Sequence, residues 1–154
     1  IRFHEEELRD QGRDTVGVWG IRPAPGDHVV GSALVDEECT LLVAGENGVG
    51  KRTPFGEYRK QSRGGKGIIT MKTGDKTGFV VGALTVKDTD EIMLITNKGQ
   101  MIRTRVHEVR EASRNTMGVK LIDLKTGEKL KGIAPVVSDE EEEAAESESP
   151  AAES

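Results

Sequence analysis

Residues 41–53, LLVAGENGVGKRT, and residues 92–104, IMLITNKGQMIRT, stand 51 positions apart and read alike. Each is an apolar run, a glycine-containing tight turn and a second run ending in Arg-Thr. Asn47-Gly48 and Asn97-Lys98-Gly99 supply residues that tolerate the positive φ of hairpin turns. Both stretches are therefore read as β-hairpins. A second landmark recurs as Arg13-Asp14-Thr15-Val16-Gly17, Arg63-Gly64-Gly65-Lys66-Gly67 and Arg114-Asn115-Thr116-Met117-Gly118. A third is Gly31, Gly82 and Gly132, each within or beside a short apolar run. A period of about 50 residues built from strand-type segments points to propeller-like blades or a solenoid, not one compact sandwich.

Ile1-Arg2 aligns with Lys51-Arg52 and with Ile102-Arg103, which sets repeats at about 1–51, 52–102 and 103–137. Closed propeller rings take about four to eight blades. The chain is thus expected to hold two to three blades of a larger protein, cut at the front. Strand-type segments are 17–21, 28–35, 40–44, 50–53, 67–72, 79–86, 91–96, 100–106, 118–124 and 130–137, each short and bounded by Gly, Asp, Asn or Pro. No amphipathic helix is evident. Residues 5–9 and 107–112 have room for one helical turn each.

Composition limits the function. Aromatics make up only 3% of the chain, so the core must be built from Val, Ile and Leu. No apolar stretch approaches the roughly 20 residues of a membrane span. Cys39 is the lone cysteine, which rules out an intrachain disulfide and suits a reducing cytoplasm. The net charge of -5 is unevenly placed: residues 138–154 carry eight acids and no base. Without them, 19 acids face 22 bases, leaving a body near +3. The tail, Glu, Ser and Ala with one Pro, is too poor in apolar residues to fold and is expected to be disordered. A basic body with an acidic tail suits a nucleic-acid binder carrying a competing segment.

Gly45-Glu46-Asn47-Gly48-Val49-Gly50-Lys51 matches the start of a P-loop, but Arg52 stands where that motif needs a Ser or Thr hydroxyl for magnesium. No helical pattern follows. The turn is read as a blade hairpin and not as a nucleotide site. His4, His28 and His107 have no metal-ligand spacing, and no Ser/His/Asp or paired-carboxylate arrangement stands out. The sharper constellation is residues 58–67, YRKQSRGGKG, with four cations and three glycines. Cations neutralise phosphate, and exposed backbone N–H groups donate to it, without reading bases. Arg59, Lys60 and Lys66 are expected to face the ligand, Gly67 to be architectural, and Arg63 to be either. Arg52, Arg103, Arg105 and Arg114 are further candidate DNA contacts, although cations on an edge strand also protect it from pairing.

Lys51-Arg52-Thr53-Pro54, Glu57-Tyr58-Arg59, residues 61–67 and residues 114–118, in this order and spacing, resemble the C-terminal domain of bacterial DNA gyrase A. The resemblance covers residues 1–137, and the acidic tail fits it. It implies an all-β, six-bladed β-pinwheel, of which this chain supplies about three propeller-like blades. It further implies that duplex DNA wraps a basic rim in support of negative supercoiling. The family's box, Gln-Arg-Arg-Gly-Gly-Lys/Arg-Gly, is met at residues 61–67 with Ser62 in its second place, as a degenerate copy in the fifth blade. Gly64, Gly65 and Gly67 are then its structural glycines. No catalytic residue, cofactor or metal is expected in this chain. ATP and magnesium belong elsewhere in the type IIA topoisomerase, whose partners are the rest of gyrase A and gyrase B in an A2B2 complex in the bacterial cytoplasm. Alternatives are the matching domain of the topoisomerase IV A protein and a propeller-type protein-interaction scaffold.

Overall fold

The computed structural model describes residues 1–137. The acidic segment 138–154, and with it the expectation of disorder there, lies outside the described residues. The described chain is all-β, with seven strands in two sheets: β1 (Thr40–Gly45), β2 (Val49–Pro54), β3 (Val80–Val86), β4 (Glu91–Thr96), β5 (Met101–Arg105), β6 (Val119–Lys120) and β7 (Leu130–Pro135). One sheet runs β3-β1-β2-β6 and the other β5-β4-β7. Every named pairing is antiparallel.

The two hairpins are the matching stretches of sequence. β1 meets β2 with Leu42 opposite Arg52, and β4 meets β5 with Met93 opposite Arg103. Gly48 and Gly99 both take φ 78° in their turns, a conformation in which a side chain would be strained. Each hairpin's first strand pairs on its other side with a strand from later in the chain, β1 with β3 and β4 with β7. Both of these ladders slip by one residue at equivalent points, Ala44/Gly45 and Ile95/Thr96. The repeat is thus kept down to its irregularities.

Blades also exchange strands. β6, from the third repeat, closes the outer edge of β2 where the first repeat ends, with Val119 opposite Gly50. The main core lies where the sheets meet, built from Leu42, Ala44, Val86, Ile92, Leu94, Val106, Val109, Ile122 and Leu130. It holds no aromatic residue. Phe55 and Tyr58 instead pack with Cys39 in a separate small cluster.

Three expected strands are not formed. Segments 17–21, 28–35 and 67–72 contain no named strand, and 118–124 is strand only at β6. The cause is pairing, not propensity. The segment equivalent to β3 and β7 in the first repeat is 28–35, and no strand among the described residues pairs with it as β1 pairs with β3 and β4 with β7. Nor does any strand among the described residues pair with 17–21 or 67–72 as β2 pairs with their equivalent, β6. The helical turns are 3-10 and lie at Glu5–Glu7, Phe55–Glu57 and Val106–Glu108, so that each repeat has one. Among the described residues no helix is long and apolar enough to cross a membrane.

Candidate nucleic-acid interface

The recurrent Arg-to-Gly loops seat one repeat on another. In the 63–67 loop, the Arg63 backbone N–H donates to Glu7 Oε2 at 3.0 Å, and its Nε donates to the Glu7 carbonyl at 3.1 Å. The Arg63 guanidinium also reaches the Trp19 carbonyl at 3.3 Å. The Gly64 N–H donates to the Gly20 carbonyl, and the Arg22 N–H donates to the Gly65 carbonyl at 2.9 Å. Gly64 and Gly67 take φ 75° and 76°, and a Cβ on Gly67 would lie 3.1 Å from the Ile1 nitrogen. These glycines shape a turn against the preceding repeat. The sequence suggests backbone N–H groups here that are open to phosphate. That expectation fails for Arg63 and Gly64, whose N–H groups already bond inside the protein.

The next loop repeats the arrangement. The Arg114 N–H donates to Glu57 Oε2 at 3.0 Å, and its guanidinium donates to the Ile69 carbonyl at 2.8 Å. Lys51, fully buried, places its ammonium on the Ser113 and Arg114 carbonyls and on Thr116 Oγ1. Burial lowers the Lys51 pKa, a shift opposed by Glu57 and reinforced by Arg114. The P-loop-like lysine is therefore a clamp on the neighbouring repeat.

Arg52 does similar work. It is buried, with Nε donating to the Val109 carbonyl at 2.7 Å and Nη1 paired to Asp88 at 2.8 Å. A buried, internally bonded guanidinium cannot reach a phosphate, so its place among the DNA contacts is corrected to a structural one. Arg63 and Arg114 are only half-buried, but their guanidinium groups also hold junctions. Arg103 and Arg105 are exposed and converge on Glu91, which bonds to Arg103 and lies 3.9 Å from Arg105 Nε. Arg59, Lys60 and Lys66 are exposed. Lys60 sits beside Arg2 through a backbone bridge, at the same junction as the Arg63 loop.

Glu7 and Glu57, which receive the loops, do not stand out in the sequence as functional. Their signal is nevertheless present there, because Glu7, Glu57 and Glu108 each end the helical turn of a repeat. No group of three or more His, Cys, Asp or Glu side chains among the described residues is arranged to hold a metal.

Strand-exchanging antiparallel blades at a 51-residue period, with exposed cations beside their junctions, define a propeller-like repeat domain. The chain belongs to the family described as DNA gyrase C-terminal domain, beta-propeller, which it matches at residues 1–36, 40–87 and 90–136. It is 43% identical over 143 residues to the DNA gyrase A protein of Escherichia coli (strain K12), covering 93% of this chain and 16% of that protein. The solved DNA gyrase A C-terminal domain superposes with a TM-score of 0.78 at 28% identity, over 88% of this chain and 46% of that one. The C-terminal domain of DNA topoisomerase IV shares the fold, with a TM-score of 0.84 at 23% identity over 95% of this chain and 46% of that one. The chain thus spans about a sixth of the length of the gyrase A protein it resembles.

Proposed function

We propose that this chain is the DNA-binding, DNA-wrapping part of a gyrase A protein and supports negative supercoiling by a type IIA topoisomerase. The observation that carries this reading is the division among its cations. Arg52, Arg63, Arg114 and Lys51 hold the repeats together, whereas Arg59, Lys60 and Lys66 remain exposed beside a junction. Exposed cations without base-reading elements contact phosphate and not sequence. Strand cleavage and ATP hydrolysis with magnesium then belong to the rest of gyrase A and to gyrase B, in an A2B2 complex in the bacterial cytoplasm. The chain needs no cofactor of its own.

Fluorescence anisotropy with duplexes of unrelated sequence tests the reading. Affinities should agree between duplexes and fall steeply from low to moderate salt. Affinity that holds constant across that range would refute phosphate-led binding.

A further inference from the structure

Residues 19–22 lie alongside the basic loop. The Gly64 N–H donates to the Gly20 carbonyl, the Arg22 N–H donates to the Gly65 carbonyl at 2.9 Å, and Ile21 forms a parallel bridge with Gly65. The stretch that carries Trp19 and Arg22 is thus held against the loop that carries Arg63 and Lys66. Trp19, Arg22 and Pro23 line an open recess on this surface. Trp19 is 63% exposed, and Arg22 and Lys66 are exposed with it. Neither the indole N–H nor the Arg22 guanidinium has a hydrogen-bond or ion-pair partner among the described residues.

The repeat shows that Trp19 occupies an outward position. Gly17 corresponds to Gly67 and Gly118, so Trp19 corresponds to Ile69 and Lys120. The junction bonds agree, because the Arg63 guanidinium reaches the Trp19 carbonyl as that of Arg114 reaches the Ile69 carbonyl. Lys120 lies in β6, paired to β2 opposite Val49, and its side chain is nevertheless 65% exposed. Side chains alternate between the faces of a strand. Leu121 packs on the main core, and Lys120 points the other way. In the first repeat Gly20 takes the place of Leu121, and a Cβ there would meet the Phe3 ring at 3.6 Å. Trp19 therefore shares the outer face of Lys120, a position that a paired neighbouring strand leaves open.

Cations alone serve phosphate. An indole offers a flat apolar body with a single N–H donor, able to bury on the order of 200 Å². Between its rows of phosphate a duplex presents sugar and base edges, which accept apolar side chains. We propose, resting on the DNA-binding reading above, that Trp19 is a further DNA-contacting residue. Its indole lies on the sugar and base edges of a duplex whose phosphates Arg22 and Lys66 neutralise. Being apolar, the contact adds affinity that salt does not screen.

Trp19 is the lone tryptophan of the chain, so its fluorescence reports on this position alone. Anisotropy of a labelled duplex establishes binding to the whole chain independently. In the saturated complex Trp19 emission should be quenched and its accessibility to acrylamide should fall severalfold, a measurement that needs no variant. Trp19→Ala should keep the parent's circular dichroism and bind about tenfold more weakly. Its log–log salt slope should match the parent's, because an apolar contact releases no counterion. Trp19→Phe should regain part of the loss. A duplex that binds while acrylamide accessibility stays unchanged overturns the proposal and leaves DNA binding standing. A folded Trp19→Ala of parental affinity does the same. Failure to bind any duplex at low salt would overturn both readings together.

Discussion

Arg52 and Arg103 occupy one position of the repeat, each opposite the centre of its hairpin partner, yet they differ in role. Arg52 has a repeat docked over it and is buried on Val109 and Asp88. Arg103 has no such neighbour among the described residues, and its side chain is 60% exposed against Glu91. Arg2 stands with Arg52: its guanidinium reaches the Phe55 carbonyl at 2.9 Å and pairs with Glu37, the counterpart of Asp88. A cation's role here is set by what lies across the junction and not by its place in the motif.

Substitution separates the two most sharply. Arg52→Ala should lower stability by about 2–3 kcal/mol, because it strands the buried Val109 carbonyl and releases Asp88. Arg103→Ala, on an exposed strand, should change it by less than about 0.5 kcal/mol. Urea midpoints measured at constant m-value decide the matter, and equal losses would erase the distinction.

A smaller effect is expected from the tail. Its eight carboxylates exceed the body's net positive charge, and a covalently attached competitor acts at an effective concentration on the order of millimolar. Truncation after Val137 should tighten DNA binding at low salt, and the gain should shrink as salt screens the attraction. Equal low-salt affinities for the two lengths would leave the tail only a solubility role.

The smallest effect belongs to Glu128, a buried carboxylate on the side of the third repeat. The Thr96 hydroxyl, and then the Lys125 N–H, hold its pKa below the ordinary 4.5. A depressed folded-state pKa gives stability that is present above about pH 4.5 and lost as pH falls through the lowered value. The stability gap between the parent and Glu128→Gln should therefore narrow below that pH. A gap independent of pH would show that the carboxylate's charge plays no part.

Much of this was legible in the sequence, because hairpins are local. The turns at Asn47-Gly48 and Asn97-Lys98-Gly99 and the alternation in β4 fix two blades without outside help. Segments 28–35 and 67–72 have the same β-branched character but form no strand, since a strand needs a partner and no described strand pairs with them. The basic loop was legible as a cluster of charge. Its division into bonding and exposed cations was not, because burial of Arg52 and Lys51 depends on carbonyls 57 and 62 residues further along the chain. Glu7 and Glu57 are legible by following the repeat, since each ends the helical turn of its repeat as Glu108 does.

On the proposed reading, the exposed Arg59, Lys60 and Lys66 are the cations that meet phosphate, while their neighbours hold the fold. The most direct test is the salt dependence of duplex binding for the parent and for a variant with all three changed to Ala. The urea midpoint should stay unchanged, and the log–log salt slope should become shallower by roughly 2.7, at about 0.9 for each lost phosphate contact. An unchanged slope in a folded variant would contradict this division of roles and move the DNA to another surface.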